Sequence, residues 1–268
     1  LKERYIEKPL YNLIVLPFQH EEETEGRTIY NAATCLKSCY LVADAVFLVD
    51  NQRYVKKDAS LANNMEKINR IIVEPFYDMM CAGEVTSRKY VGARTVDAGD
   101  LIASFEGWTA IGIGRTELPA FRFPWEINKK RFRDKATESF RGTQALDAAI
   151  TDLSIACSPA DSAKAIYIMS GPAKEMNMDM VKELGDYLSE IAPEAIIRYG
   201  DYPRGGSTLK ITVILSQLSS VDKVKDFYNR MPGLIEDRDK RQDKSEAKLR
   251  ELAEASMAVP SLLGSDWD

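Results

Sequence analysis

Hydrophobic positions in this chain fall into short unbroken runs and longer runs at three- and four-residue steps, and their alternation predicts an α/β fold. Leu13-Ile14-Val15-Leu16 is unbroken and ended by Pro17, which predicts a strand buried on both faces, as in a parallel sheet. Gln19 to Arg27 is polar, with three consecutive glutamates and Gly26, so a loop is expected there. Helical spacing resumes over Ile29 to Ala43, and Ala45 to Val49 is a second buried strand ending at Asp50-Asn51. Strand, helix and strand at this spacing form a βαβ unit, with a right-handed crossover and strand ends that face any ligand.

Met65, Ile68, Ile72, Phe76, Met79 and Met80 recur at helical steps, which predicts a long helix over Asn64 to Ala82 with Gly83 as its C-cap. Pro75 inside it predicts a kink or a break, because the ring removes an amide donor and crowds the preceding turn. From Gly92 a second unit is expected. It has a helix from Asp100 to Glu106, a strand over Thr109 to Gly114, a helix over Thr143 to Ala156 and a strand over Ala165 to Met169. A helix over Met178 to Ile191 and strands over Ala195 to Tyr199 and Leu209 to Leu215 complete helices packed on a small mixed sheet. Glu236 to Glu254 alternates charge signs and predicts a solvated helix, and Ser261 to Asp268 a loose tail.

The 268 residues are enough for one large or two medium domains. With 36 basic and 41 acidic side chains the net charge is −5, which argues against a nucleic-acid partner, since phosphate neutralisation needs a basic surface. The four cysteines, Cys35, Cys39, Cys81 and Cys157, lack paired zinc spacings and suit a reducing, cytoplasmic setting. The longest apolar runs fall far short of the roughly 18 residues of a membrane span, so no direct membrane insertion is expected. The charged start, Leu1 to Lys8, does not resemble a signal peptide.

Candidate chemistry centres on Asp97 and Asp100, three residues apart ahead of the apolar, Gly-containing Ile111-Gly112-Ile113-Gly114. Taken alone, the pair fits a helix start, where Asp at the N-cap and in the first turn satisfies orphan amides and suits the dipole. The pair has company, however: Glu25-Gly26-Arg27-Thr28-Ile29-Tyr30-Asn31, then Ala43 to Asn51, then the helix carrying Asn69 within Lys67-Ile68-Asn69-Arg70. In that order and at those spacings the segments resemble the second half of the tubulin/FtsZ superfamily, most closely its archaeal CetZ-like branch. Pro17-Phe18 followed by Glu25-Gly26-Arg27 is similar to the Pro-Phe…Phe-Glu-Gly-Arg segment of FtsZ, and Tyr30-Asn31 to the Tyr-Asn pair of tubulin. The strands and helix between Ala163 and Leu218 resemble the FtsZ activation domain element by element, and the resemblance covers roughly Leu13 to Leu218.

The resemblance implies the C-terminal part of a Rossmann-like GTPase domain, a long central helix, and an α/β activation domain with a small mixed sheet. Its expected boundaries are residues 1–63, 64–91 and 92–225, with a helix and tail over 226–268. It implies GTP or GDP as ligand with Mg2+, and a head-to-tail homopolymer that hydrolyses GTP between subunits. Glu25 would hold the ribose and base. Asn31 and Asn69 would read the guanine edge, an amide offering both donor and acceptor. Met65 stands where the family commonly has a stacking aromatic. Thr95, Val96, Asp97, Ala98, Gly99 and Asp100 occupy the six positions of the family's catalytic loop Asn-x-Asp-x-x-Asp, with Thr95 departing from the Asn. That loop is expected to enter the neighbouring subunit's pocket, where its carboxylates orient the attacking water. No residue is assigned to a metal. The Gly-rich phosphate loops of the superfamily have no counterpart here, and Leu1 to Pro9 resembles the tail of the helix that follows the second of them, so an upstream segment is expected to carry both. The alternative is a scaffold of the same superfamily that acts by self-association or partner binding without catalysis.

Overall fold

A computed structural model describes residues 2–57, 65–82, 96–118 and 132–262. In chain order its elements are β1 (Tyr11–Leu16), α1 (Gln19–Thr24), α2 (Gly26–Val42), β2 (Ala45–Asp50), α3 (Asn51–Lys57), α4 (Met65–Cys81) and α5 (Ala98–Ser104). They continue with β3 (Gly107–Glu117), α6 (Phe132–Thr151), β4 (Ser162–Gly171), α7 (Met178–Ile191), β5 (Ile196–Pro203), β6 (Thr208–Leu218) and α8 (Asp222–Leu262). The strands form one mixed sheet in the order β1-β2-β3-β6-β4-β5. Only β6 runs against the others, antiparallel to both β3 and β4.

Alternation along each strand divides the apolar side chains between two faces. Val46, Leu48, Ala165, Tyr167, Met169, Val213 and Leu215 face α2, α6, α7 and the first turns of α8, where Leu36, Leu146, Leu184 and Phe227 are fully buried. Ala45, Phe47, Ile111, Ile166, Ile168 and Ile214 face the other way, toward Met79 of α4 and the segment Val96 to Phe105. A smaller cluster of Phe18, Val49, Tyr54, Ile68 and Ile72 holds the first turns of α4 over the end of β2. So α4 runs antiparallel to β2 and crosses most of the sheet.

β2 and β3 pair only over Ala45–Phe47 and Gly107–Thr109, then diverge. Ser154 fills the fork. Its hydroxyl donates to Leu48 O (2.6 Å) and accepts from Ile111 N–H (3.1 Å), while its amide donates to Ile111 O (2.7 Å) and its carbonyl accepts from Asp50 N–H (2.8 Å). That wedge is why α6 ends at Thr151 rather than Ala156. Beside it, α6 lies directly on the β3 backbone: a Cβ on Gly112 would stand 2.1 Å from Ala149 O and one on Gly114 1.8 Å from Ala145 O.

Several elements differ from the sequence expectation. β1 is an edge strand, not one buried on both faces, and Leu13 and Val15 are 48% and 47% exposed. The reason is lateral: α4 covers Phe47 and Val49 but not Leu13 and Val15, their neighbours in register on β1. Gln19 to Arg27 is not a loop but α1 and the start of α2. Glu21 accepts the Phe18 amide at 2.8 Å, and the buried Glu22 carboxylate is held by Lys223 and by Arg230 of α8 (3.2 Å), partners no local pattern reveals. α4 runs through Pro75, which is buried; Gly83 lies outside the described residues. The charged C-terminal helix begins at Asp222, where Val224 and Phe227 join the core, and its outer part is exposed. Among the described residues no helix is long and apolar enough to cross a membrane.

Candidate functional site

The sequence-chosen residues stand at two opposite ends of the sheet. At the C-terminal ends of β1 and β2, Glu25 caps the junction of α1 and α2 and is exposed beside a cleft of about 410 Å3. Pro17, His20, Glu21, Thr24 and Thr28 line the rest of it. Asn31 is exposed one turn along α2 from Thr28. Met65 and Asn69, both exposed, belong to the first turns of α4, which Ile68 and Ile72 anchor to Phe18 and Val49 at this same end.

The two asparagines stand at this end on helices from different faces of the sheet. α2 packs through Ile29, Ala33 and Leu36 on one face of the sheet, whereas α4 packs on the other. A further amide at this end is Asn51, the first residue after β2, which sequence reasoning passed over. Asn51 is 8% exposed and, among the described residues, its side-chain carbonyl is buried without a hydrogen-bond partner, a state that native structures seldom leave unexplained. The signal available in the sequence was its place, the residue immediately after a buried parallel strand, where α/β sheets bind ligands. Next to it, burial pushes the Tyr54 hydroxyl up to about 12, so it remains a neutral donor.

At the other end, Asp97 is the N-cap of α5, and its Oδ1 accepts the Asp100 amide at 2.7 Å. The capping expectation therefore holds, and it leaves Oδ2 outside that bond. Asp97 is exposed and Asp100 half-buried. Thr95 lies outside the described residues. Val96 anchors the start of this segment on Gly200, whose Cβ, were there one, would stand 2.0 Å from Val96 Cγ2. Phe105 anchors its end, with ring centroids 5.4 Å from Tyr11 and 5.2 Å from Phe47. Tyr11 is the first residue of β1, so α5 crosses the sheet at the end away from Glu25. The 17-residue α4 joins the two ends and is about 25 Å long at 1.5 Å per residue. Asp97 and Asp100 thus lie far from the Asn51–Asn69 end of their own chain.

Charge fixes α4 between them. Asp78, whose side chain is 3% exposed, is paired with Arg204 (3.1 Å) and Lys210 (3.4 Å), and Glu74 with Lys210 (2.8 Å) and with Arg115. Burial alone would push the Glu74 carboxyl up, but Lys210 and Arg115 together hold it below the usual carboxylate range. Among the described residues no group of three His, Cys, Asp or Glu side chains is placed to hold a metal ion.

Comparison with known proteins bears on this geometry. Residues 58–231 match a family model described as tubulin-like CetZ, C-terminal domain. The tubulin-like protein CetZ5 of Haloferax volcanii is 25% identical over 263 residues, covering 91% of this chain and 66% of the relative. CetZ of Pyrococcus abyssi is 22% identical, covering 94% and 64%. Among solved structures, the GDP-bound monomer of H. volcanii CetZ1 superposes with a TM-score of 0.69 at 20% identity, over 87% of this chain and 62% of that one. The GTPγS-bound protofilament of CetZ2 gives 0.69 at 22% identity, over 87% and 63%, and the empty FtsZ dimer of M. jannaschii gives 0.56 at 17%, over 81% and 57%. The chain spans 59 to 66% of the length of the H. volcanii relatives named CetZ3 and CetZ5. With a family match over more than half its length and the tubulin-like fold, the chain belongs to the tubulin-like CetZ proteins and carries their C-terminal domain.

Proposed function

We propose that this chain is the base-reading and neighbour-facing part of a cytoplasmic cytoskeletal GTPase that assembles head to tail, with Asp97 and Asp100 acting on nucleotide held by the adjoining protomer. The observation that carries the reading is the placement of the two candidate sets at opposite ends of one sheet, joined by α4. A chain that binds at one end and does chemistry at the other completes a site only when a second copy stacks on it. Relatives in the GDP-bound monomer and the GTPγS protofilament support the ligand class and the assembly.

The unpartnered Asn51 carbonyl, buried at the end of β2, fits a ligand that presents N–H donors, as the guanine edge does. On this reading Asn31 and Asn69 read the guanine edge with Asn51, Met65 covers the face of the base, and Glu25 serves the ribose and base from the junction of α1 and α2. GTP supplies the phosphoryl group, Mg2+ accompanies its phosphates, and no described residue of this chain is assigned to the metal. Asp97, held by its cap bond, and Asp100 orient the water at the neighbour's γ-phosphate. Phosphoryl transfer asks the protein chiefly for such positioning and charge. The base-reading region, 1–63, the central helix and its connection, 64–91, and the activation domain, 92–225, are the working units, followed by the helix and tail over 226–268.

Full-length protein carrying both Asp97→Ala and Asp100→Ala should form filaments with GTP that hardly turn it over. Undiminished phosphate release would reject the assignment. The engagement of Asp97 as a helix cap favours the second reading, a non-catalytic scaffold, and a wild type that assembles identically with and without nucleotide would select it.

A further inference from the structure

Two carboxylates brought toward a polyphosphate repel it, so a neighbour-facing end built on Asp97 and Asp100 needs positive charge. Lys164, on β4 at this end, is already paired with Glu106 at 2.6 Å. Arg198 of β5 is different. Ile197 and Tyr199 pack toward α7, so by strand alternation Arg198 faces the opposite side, the side of Val96 and α5. Its register partner on β4, Ile166, belongs to the cluster that also holds Val96. Gly200, on which Val96 rests, lies two residues further along the same face, about 7 Å away at strand spacing. The step from Gly200 to Arg198 leads toward the strand start, away from the nucleotide end. Arg198 is half-buried, and among the described residues its Nη1 is buried without a hydrogen-bond partner.

We propose that Arg198 donates from this face to phosphate oxygens of the nucleotide bound by the neighbouring protomer, a third side chain supplied in trans beside Asp97 and Asp100. The inference rests on the proposed head-to-tail GTPase. A guanidinium whose Nη1 has no acceptor among the described residues gives up little when it swings toward an arriving anion. Its planar fork suits phosphate, and charge spread over the transferring oxygens is what such a group stabilises. It also offsets the repulsion from the two carboxylates, so it should matter to assembly as well as to turnover.

The test uses full-length protein bearing Arg198→Ala, Arg198→Lys or the paired Asp97→Ala and Asp100→Ala. Assembly is measured by pelleting on a non-hydrolysable GTP analogue and turnover by phosphate release per polymerised subunit. Arg198→Ala should raise the critical concentration several-fold and slow turnover about a thousandfold, the lower end of the range found for arginines supplied in trans. Arg198→Lys should fall between, and free guanidinium ion should restore part of the turnover of Arg198→Ala. The aspartate variant should assemble no less readily than wild type, an opposite sign that separates the roles. If Arg198→Ala assembles and turns over like wild type while the aspartate variant is inactive, Arg198 is excluded and the GTPase reading stands. If the aspartate variant is also undiminished, both fail. A lowered melting temperature in Arg198→Ala, with neither lysine nor guanidinium restoring turnover, would make Arg198 a packing residue and overturn the proposal.

Discussion

Asp97 has a local role as a helix cap beside the role proposed for it in trans. Its Oδ1 closes the first turn of α5 on the Asp100 amide, and a cap of this kind is worth about 1 kcal/mol. Alanine would remove cap and carboxylate at once, so it cannot say which matters. Asparagine caps nearly as well but carries no charge. Asp97→Asn should leave the melting temperature within a degree or so of wild type, since a change of a few tenths of a kcal/mol moves it little, yet should abolish most GTP turnover; retained turnover would leave the cap as the whole role of Asp97. The same economy made Asp97 legible in sequence as a helix start, whereas Asn51 was passed over. Nothing in its neighbours announces that, among the described residues, its carbonyl is buried without a partner; only folding buries it.

Among the elements, α6 and α4 show two ways of docking on a sheet. α6 touches the β3 backbone because Gly112 and Gly114 have no Cβ, and Ala145 and Ala149 face them across the contact. Gly114→Ala would place a methyl 1.8 Å from Ala145 O, so helix and strand must separate. We expect a loss of about 3 kcal/mol, at the upper end for overpacking, read as a lower urea midpoint with an unchanged slope. The glycines were visible in the sequence, but a packing role for them was not, since it depends on which helix lands there. α4 docks by charge as well as by apolar contact, through Glu74 and Asp78. Its helical period was plain from Met65 to Met80, and its continuity through Pro75 was not, because a buried, clamped helix can absorb the lost hydrogen bond that an isolated one could not.

For the molecule as a whole, those ion pairs tie stability to pH. The Glu74 carboxyl is held below its ordinary value of 4.5 in the fold, and Asp44, hydrogen-bonded by Lys2 and the Leu10 amide, is also lowered from 3.8. A carboxyl depressed in the native state contributes stability above its unfolded pKa, and the contribution is lost as pH falls through the folded one. The melting temperature should therefore be flat from neutrality to about pH 5 and decline below it. Glu74→Gln should be less stable than wild type at pH 7, with the difference shrinking toward about pH 3.5 as the wild-type Glu74 carboxylate is protonated and loses its charge. Parallel melting curves for the two proteins across that range would remove Glu74 from the acid response.

The element types of this chain were set by sequence, because strand and helix periods are local: α7 spans Met178–Ile191 as the pattern has it, and β2 begins at Ala45. The order of candidate segments along the chain likewise carried the family, which residues 58–231 establish. Tertiary structure alone decided that one face of β1 is open, that Gln19 to Thr24 is helical, and that Ser154 parts β2 from β3. It also set Asn31 and Asn69 on opposite faces and Asp97 at the end of the sheet away from Asn51. Each of these depends on a partner far along the chain, such as the α8 cations that hold Glu22, and a periodicity of two or of three and a half residues contains no information about which distant side chain will arrive.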